Sequence, residues 1–190
     1  MSILHTVDEA DATDEVAKIY NEDIEDIGYV PSHSKIMALN PDAVRAWQAL
    51  VRAIALPLGK RRYELVTLAA ARALHSQHCR LAHGKKSFGL FDERQLIRIA
   101  ADYHHADLSE ADVAMMEFAE RVSTTSSTMT DADSQRLRDV GFSDIDILNI
   151  TLVAAARNYY SRAIQALAVD VDVPPGISPE LHAALVDTRQ

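Results

Sequence analysis

The chain holds one cysteine, Cys79, in 190 residues. That excludes an intrachain disulfide framework and a zinc site built from several thiolates, and a lone thiol fits a reducing compartment. Glycine and proline number only 6 each, and aromatics make up 6%. A β-sandwich needs turn signals about every ten residues, and collagenous or low-complexity chains need more, so these classes are excluded. No apolar run approaches the ~20 residues required to cross a bilayer. The opening MSILHTVDEADATDEV carries acids where a secretory leader needs a basic end and an apolar stretch. Basic charge is also short, with 19 Lys and Arg against 28 Asp and Glu and a formal net charge of −9. Nucleic-acid affinity depends on cations that neutralise phosphates. The tightest basic clusters, Lys60-Arg61-Arg62 and Lys85-Lys86, read as helix-end charges. The expectation is a cytoplasmic protein that binds neither nucleic acid nor membrane.

What is present is helix-forming. The composition, 48% hydrophobic and 25% charged, is that of a globular chain within the usual length of one domain. Apolar residues recur at helical spacing, and no segment alternates with period two. Helices are expected over 13–28, from Asn40-Pro41-Asp42 to Pro57, over 60–74 and over 76–89. The second of these carries Val44, Trp47, Leu50, Val51 and Ile54 inward. Further helices start at Phe91-Asp92-Glu93, at Ser109 with Asp112, at Thr130 and at Ser143. Pro31-Ser32 opens a connecting stretch, and the polar run 123–128 reads as a loop. The fold class is all-α: one domain, 1–190, of about eight helices, with a tail over 173–190 that holds at most one weak helix.

An internal similarity stands out. Ala69-Ala70-Ala71-Arg72 recurs as Ala154-Ala155-Ala156-Arg157, and in that register Ser76 meets Ser161. Ala-rich helices resemble one another by chance, or the chain carries a duplicated helical unit. In the second case Glu64, Cys79 and His83 fall opposite Asn149, Ile164 and Ala168, which places the chemistry in the first copy.

The reactive residues crowd around Cys79. On a helix, Ser76, Cys79 and His83 stand at i, i+3 and i+7 and share a face. With Ser76 as N-cap, Cys79 lies in the first turn, where unpaired amides and the helix dipole favour a thiolate. His83 one turn on is placed to orient or deprotonate the thiol, and His78 points elsewhere, toward an incoming substrate. Glu64 is fifteen residues from Cys79, about 22 Å along a straight helix. It joins the site only if the chain breaks near His75-Ser76 or a neighbouring subunit supplies it. The plain alternatives are a small buried hydrophobe for Cys79, solvated or core-satisfied histidines, and a solvated helix-start acid for Glu64. His75, Cys79 and His83 span about 12 Å, too far for three ligands on one zinc at about 2.0–2.3 Å. An i, i+4 pair completed from elsewhere stays open.

Glu64, Ser76, His78, Cys79 and His83 resemble the alkylhydroperoxidase D / carboxymuconolactone decarboxylase-like family. Its peroxidase signature is Glu, eleven residues, Cys-x-x-Cys, three residues, His. Here the run is Glu64, eleven residues, Ser76-Gln77-His78-Cys79, three residues, His83. The resemblance implies that Glu64, His78 and His83 form a proton relay and that Cys79 is the second family cysteine. The likeness includes Asp14-Glu15-Val16-Ala17-Lys18-Ile19-Tyr20, the Gly28-Tyr29-Val30-Pro31 turn and Asn158-Tyr159-Tyr160-Ser161-Arg162. These are similar to the peroxidase-related branch, and together they span about 10–172. The implied fold is all-α with repeated helical units, assembled as homo-oligomers, trimers or hexamers.

Ser76 stands where the family has its first cysteine. A Cys-x-x-Cys enzyme oxidises one thiolate to a sulfenic acid and resolves it with the other thiol. Ser76 can cap a helix or relay a proton, but it cannot form that disulfide. The resulting expectation is an antioxidant, peroxidase-related oxidoreductase with a single redox cysteine, reduced by an external thiol, with no bound cofactor or metal. Its substrate is a small molecule, a peroxide. Two alternatives remain: an acid–base enzyme acting on a small carbonyl or lactone compound through Glu64 and His83, or a non-catalytic ligand-binding or assembly protein.

Overall fold

The computed structural model describes residues 3–186, so the last four residues of the expected tail, 187–190, lie outside the described residues. Among the described residues there are ten α-helices and no strands. They are α1 (Asp14–Ile27), α2 (Ser32–Met37), α3 (Pro41–Leu58), α4 (Lys60–Ala73), α5 (Gln77–Lys86), α6 (Glu93–Asp102), α7 (Glu110–Thr125), α8 (Asp131–Asp139), α9 (Asp144–Ala166) and α10 (Pro179–Val186). The helix starts follow local chemistry. Asn40 accepts from the Ala43 amide with Pro41 at the first helical position. Ser109 accepts from the Asp112 amide, and Ser143 with Asp146 forms a reciprocal capping box. Gly28 closes α1 at φ 86°, a conformation that costs glycine little.

Helix α4 is the centre of the molecule. Every residue from Glu64 to Ala71 is buried, because α5, α7 and α9 all pack against it. The run Ala69-Ala70-Ala71, fully buried, lets those neighbours approach closely. Helix α3 lies on α9. A small second core of Ile19, Tyr20, Val30, Ala38 and Val44 joins α1 and α2 to the start of α3. A third contains Cys79 itself, packed with Ile36, Ala71, Ile164 and Val169.

Three sequence expectations change. The stretch after Pro31 is a helix, α2, whose six residues make too few turns for periodicity to register. The polar run 123–128 is not a plain loop, since α7 continues through Thr125. The hydroxyls of Ser123, Thr124 and Thr125 bond back to the carbonyls of Ala119, Glu120 and Arg121, which satisfies them within the helix. The tail, thirdly, is firmly docked. Leu181 and Leu185 of α10 are fully buried against α5 and α6, and Arg80 bonds the carbonyls of Ala100 and Ala184. Gly84 makes that approach possible, because a Cβ there would lie 2.6 Å from a Leu185 methyl.

Helix α10 has only eight residues, too few to be stable alone, so its packing holds it. Leu185→Ala is expected to cost about 2–4 kcal/mol through lost burial and a residual cavity. Urea unfolding with an unchanged m-value measures this, and a smaller loss would mean that α10 is only loosely attached.

Candidate active site

The chain breaks where the distant glutamate requires it to. Helix α4 ends in a Schellman motif: His75 takes φ 53°, the Ser76 amide bonds the Ala71 carbonyl at 2.9 Å, and the His75 amide bonds that of Arg72 at 3.0 Å. Helix α5 then folds back along α4. Glu64 Oε2 consequently meets His83 Nδ1 at 2.7 Å within one chain, and both side chains are buried. The carboxylate accepts the Nδ1 proton, which leaves the lone pair of the neutral ring on Nε2.

Ser76 occupies the N-cap position of α5, and Cys79 is in its first turn. The serine side chain, however, does not cap the helix, which corrects that expectation. Its backbone sits at ψ 91°, whereas Ser109 and Ser143, at ψ 157° and 165°, carry their hydroxyls over the first amides. The Ser76 hydroxyl is buried without a hydrogen-bond partner. His78 Nε2 lies 3.0 Å from the Asp170 carbonyl, which fixes its ring.

The Cys79 sulphur has two faces. One packs in hydrocarbon. The other meets Ser161 Oγ at 3.2 Å and receives an N–H of the Arg157 guanidinium at 3.6 Å. Among the described residues these are its hydrogen-bond partners, and none joins it to His83. A second Arg157 nitrogen donates to the Tyr63 hydroxyl at 3.2 Å, and the guanidinium lies over the rings of Trp47 and Tyr160, 5.7 and 5.9 Å from their centres. Arg157 is 5% exposed, has no carboxylate partner among the described residues, and its Nε is buried without an acceptor.

Arg157, Ser161, Tyr63, Trp47 and Tyr160 were not identified as site residues from sequence. Two of them left a signal there. Arg157 ends the second Ala-Ala-Ala run, and an arginine on an otherwise apolar helix face must find a partner inside. Ser161 is the register mate of Ser76. The polar groups around Cys79 are therefore not confined to residues 64–83, because α9 packs on α4 and brings Arg157 and Ser161 to the sulphur.

These groups line a cavity of about 730 Å³ with His78, Cys79, His83, Lys86, Arg157 and Trp47 on its walls. Burial pulls the His83 ring down to about 4, Arg157 and Lys86 push the same way, and Glu64 opposes them. Burial alone would raise Glu64, but His83, Lys86 and Arg157 outweigh it and hold the carboxyl below its usual range. Arg157 remains charged, because the sulphur and the Tyr63 oxygen more than offset the cost of its burial. The site thus holds a neutral imidazole on a carboxylate, next to a sulphur beside a fixed cation.

A histidine whose folded value lies below its ordinary 6.5 contributes stability above that pH, lost as pH falls toward about 4, because the unfolded chain takes the proton first. Stability from denaturant unfolding should therefore decline between about pH 6.5 and 4. Glu64 adds to the loss at the acid end, since its value is lowered too. His83→Gln is expected to flatten the upper part of that slope, and an unchanged slope would mean that His83 is not buried as a neutral ring.

No family model matches the chain, and no curated protein matches it. Solved structures do. An uncharacterised peroxidase-related protein of Ralstonia eutropha JMP134, described as an alkylhydroperoxidase AhpD core, superposes with TM-score 0.79 at 25% identity, over 98% of this chain and 97% of that one. An uncharacterised peroxidase-related protein of Silicibacter sp. TM1040 gives 0.80 at 26% identity, over 97% and 95%. The debrominase Bmp8, solved as its C82A variant with 2,3,4-tribromopyrrole, has the same fold, with TM-score 0.76 at 16% identity over the full length of both chains. This architecture spans nearly the whole chain, and in its fold and in the spacing of its Glu64–His83 run the chain is similar to the alkylhydroperoxidase D-like, peroxidase-related proteins.

Proposed function

We propose that the protein is a single-cysteine peroxidase. The observation that carries this reading is the buried Arg157 guanidinium, which among the described residues has no carboxylate partner and donates to the Cys79 sulphur. A buried cation needs an anion, and the sulphur, once ionised, is the anion within reach. The Cys79 thiolate attacks the terminal oxygen of a hydroperoxide, and the O–O bond breaks. The sulphur becomes a sulfenic acid, and the alkoxide leaves with a proton as the alcohol. His83, oriented by Glu64, is the group that moves the proton at its Nε2, with His78 and the unpaired Ser76 hydroxyl beside the same helix start. No second thiol exists in the chain. An external thiol therefore condenses with the sulfenic acid to a mixed disulfide and water, and a second thiol releases Cys79 and the external disulfide.

The Glu64–His83 pair also supports an acid–base reading, because it is complete without any hydrogen bond to Cys79. In that case a small carbonyl or lactone compound occupies the cavity and the cysteine only lines its wall. The debrominase's tribromopyrrole complex is in keeping with a small organic ligand in this fold.

We also infer self-association. Leu50 was expected in the core, but it is 46% exposed, and Leu56 on α3 and Ile145, Leu148, Leu152 and Tyr159 on α9 are exposed as well. The four on α9 share one face, at i, i+3, i+7 and i+14, and α3 lies alongside. An apolar surface of this kind marks an interface, here between copies of the chain. Among the described residues no helix is long and apolar enough to cross a membrane.

Peroxide consumption with dithiothreitol is expected to fall at least a hundredfold in Cys79→Ser. In Arg157→Gln, iodoacetamide labelling of Cys79 at pH 7 should slow about tenfold, as the sulphur loses its cation. Activity that survives Cys79→Ala but is lost in His83→Ala assigns the acid–base chemistry instead. Leu148→Asp should shift the sedimenting species toward monomer, and an unchanged distribution removes this face as the interface.

A further inference from the structure

A second cavity, of about 450 Å³, adjoins the first. The two share His33, Ala82 and Lys86 as walls. The second is lined on one side by Asp23 and Asp26 of α1 and on the other by Lys60 at the start of α4 and by Lys85 and Lys86 at the end of α5. The opposite charges do not touch. Among the described residues, Asp23, Asp26, Lys60 and Lys86 form no ion pair, and Asp23 Oδ2 is buried without a donor. Burial pushes the Asp23 carboxyl up, and the Ser34 hydroxyl and then Lys86 pull it only partly back. Lys85 lies over the Phe88 ring, 4.4 Å from its centre. A chamber with unpaired carboxylates on one wall and unpaired ammonium groups on the other is complementary to a molecule that carries both charges.

Its placement relative to Cys79 sets the length of that molecule. Cys79, Ala82 and Lys86 lie on one face of α5, two turns from end to end. Lys86 is therefore about 10 Å from the cysteine along the helix. A ligand held between Lys86 and Asp23 must extend about that far to bring a thiol to the sulphur, the span of about three extended residues. Free cysteine is too short, and an uncharged thiol has nothing to bind.

We propose that the second chamber is the reductant site, and that the reductant is a zwitterionic peptide thiol about three residues long. This rests on the single-cysteine reading, for which it supplies the missing thiol. Its ammonium group sits at Asp23 and Asp26, its carboxylate at Lys60 and Lys86, and its sulphur enters the first cavity past Ala82. There the peptide thiol loses its proton and attacks the sulfenic sulphur of Cys79. The S–S bond forms, hydroxide leaves and takes up the proton as water, and a second peptide thiol reduces the mixed disulfide while it is oxidised itself.

Binding and turnover test this separately. S-Methylglutathione, which cannot react, is titrated calorimetrically into wild type, Asp23→Asn and Lys86→Gln. Saturable binding is expected, weakened about tenfold in each variant, the loss of one charge-assisted contact. No binding at millimolar concentration, or equal binding to all three proteins, overturns the proposal. In the peroxide assay, the ratio of glutathione-supported to dithiothreitol-supported kcat/KM should exceed the same ratio for 2-mercaptoethanol, and should fall about tenfold in Asp23→Asn. A ratio that is the same for wild type and variant also overturns it. Binding that follows the expected pattern without peroxide consumption by any thiol sinks the peroxidase reading and leaves the chamber as a peptide site.

Discussion

The guanidinium of Arg157 is the feature on which the arrangement of the site depends. A buried charge without a partner costs several kcal/mol, and among the described residues no carboxylate pairs with this one. Its cost is offset by the Tyr63 hydroxyl, by the faces of Trp47 and Tyr160, and by the Cys79 sulphur. The protein has therefore placed a thiol where a structural ion pair would have a carboxylate. A sulphur packed only against Ile36, Ile164 and Val169 would be inert; here the same sulphur also faces a fixed cation and a cavity, and the proposed nucleophilic role rests on that.

Around this pair the fold separates two tasks. Helix α9 supplies charge and hydrogen bonding to the sulphur through Arg157 and Ser161, while α4 and α5 supply the buried Glu64–His83 pair. The two groups are not hydrogen-bonded to each other, so the imidazole remains available to a substrate in the cavity. Burial keeps His83 neutral, and Glu64 fixes its tautomer, the combination a general base requires. Under the proposed single-cysteine reading, Ser76 cannot resolve an oxidised Cys79, and the rest of this arrangement does not depend on a second thiol. On that reading an external electron donor is required, and the charged chamber next to Lys86 is the place proposed for it.

Much of the fold was legible because it rests on local rules. Asn40-Pro41, Ser109 with Asp112 and Ser143 cap helices in the structure as expected. Helix α2 was missed because six residues carry no readable period, and the end of α7 because serine and threonine hydroxyls can satisfy themselves on the preceding turn. The tail was undervalued because Leu181 and Leu185 gain their stability only from α5 and α6. Leu50 shows the opposite error: its spacing was apolar and helical, but a hydrophobic stripe does not say whether its own core or a second copy covers it.

The sequence by itself determined the all-α class, the lone thiol and the register that links Glu64, Ser76, His78, Cys79 and His83, because these follow from composition and from spacing along one chain. It also posed the condition for Glu64, a break near His75. Only the tertiary structure decided that the break exists within one subunit, as a left-handed residue without glycine to announce it, and that Arg157 and Ser161 stand at the sulphur. The physical reason is that a side chain's charge partner is chosen by packing between helices far apart in sequence, and neither periodicity nor propensity encodes which faces meet.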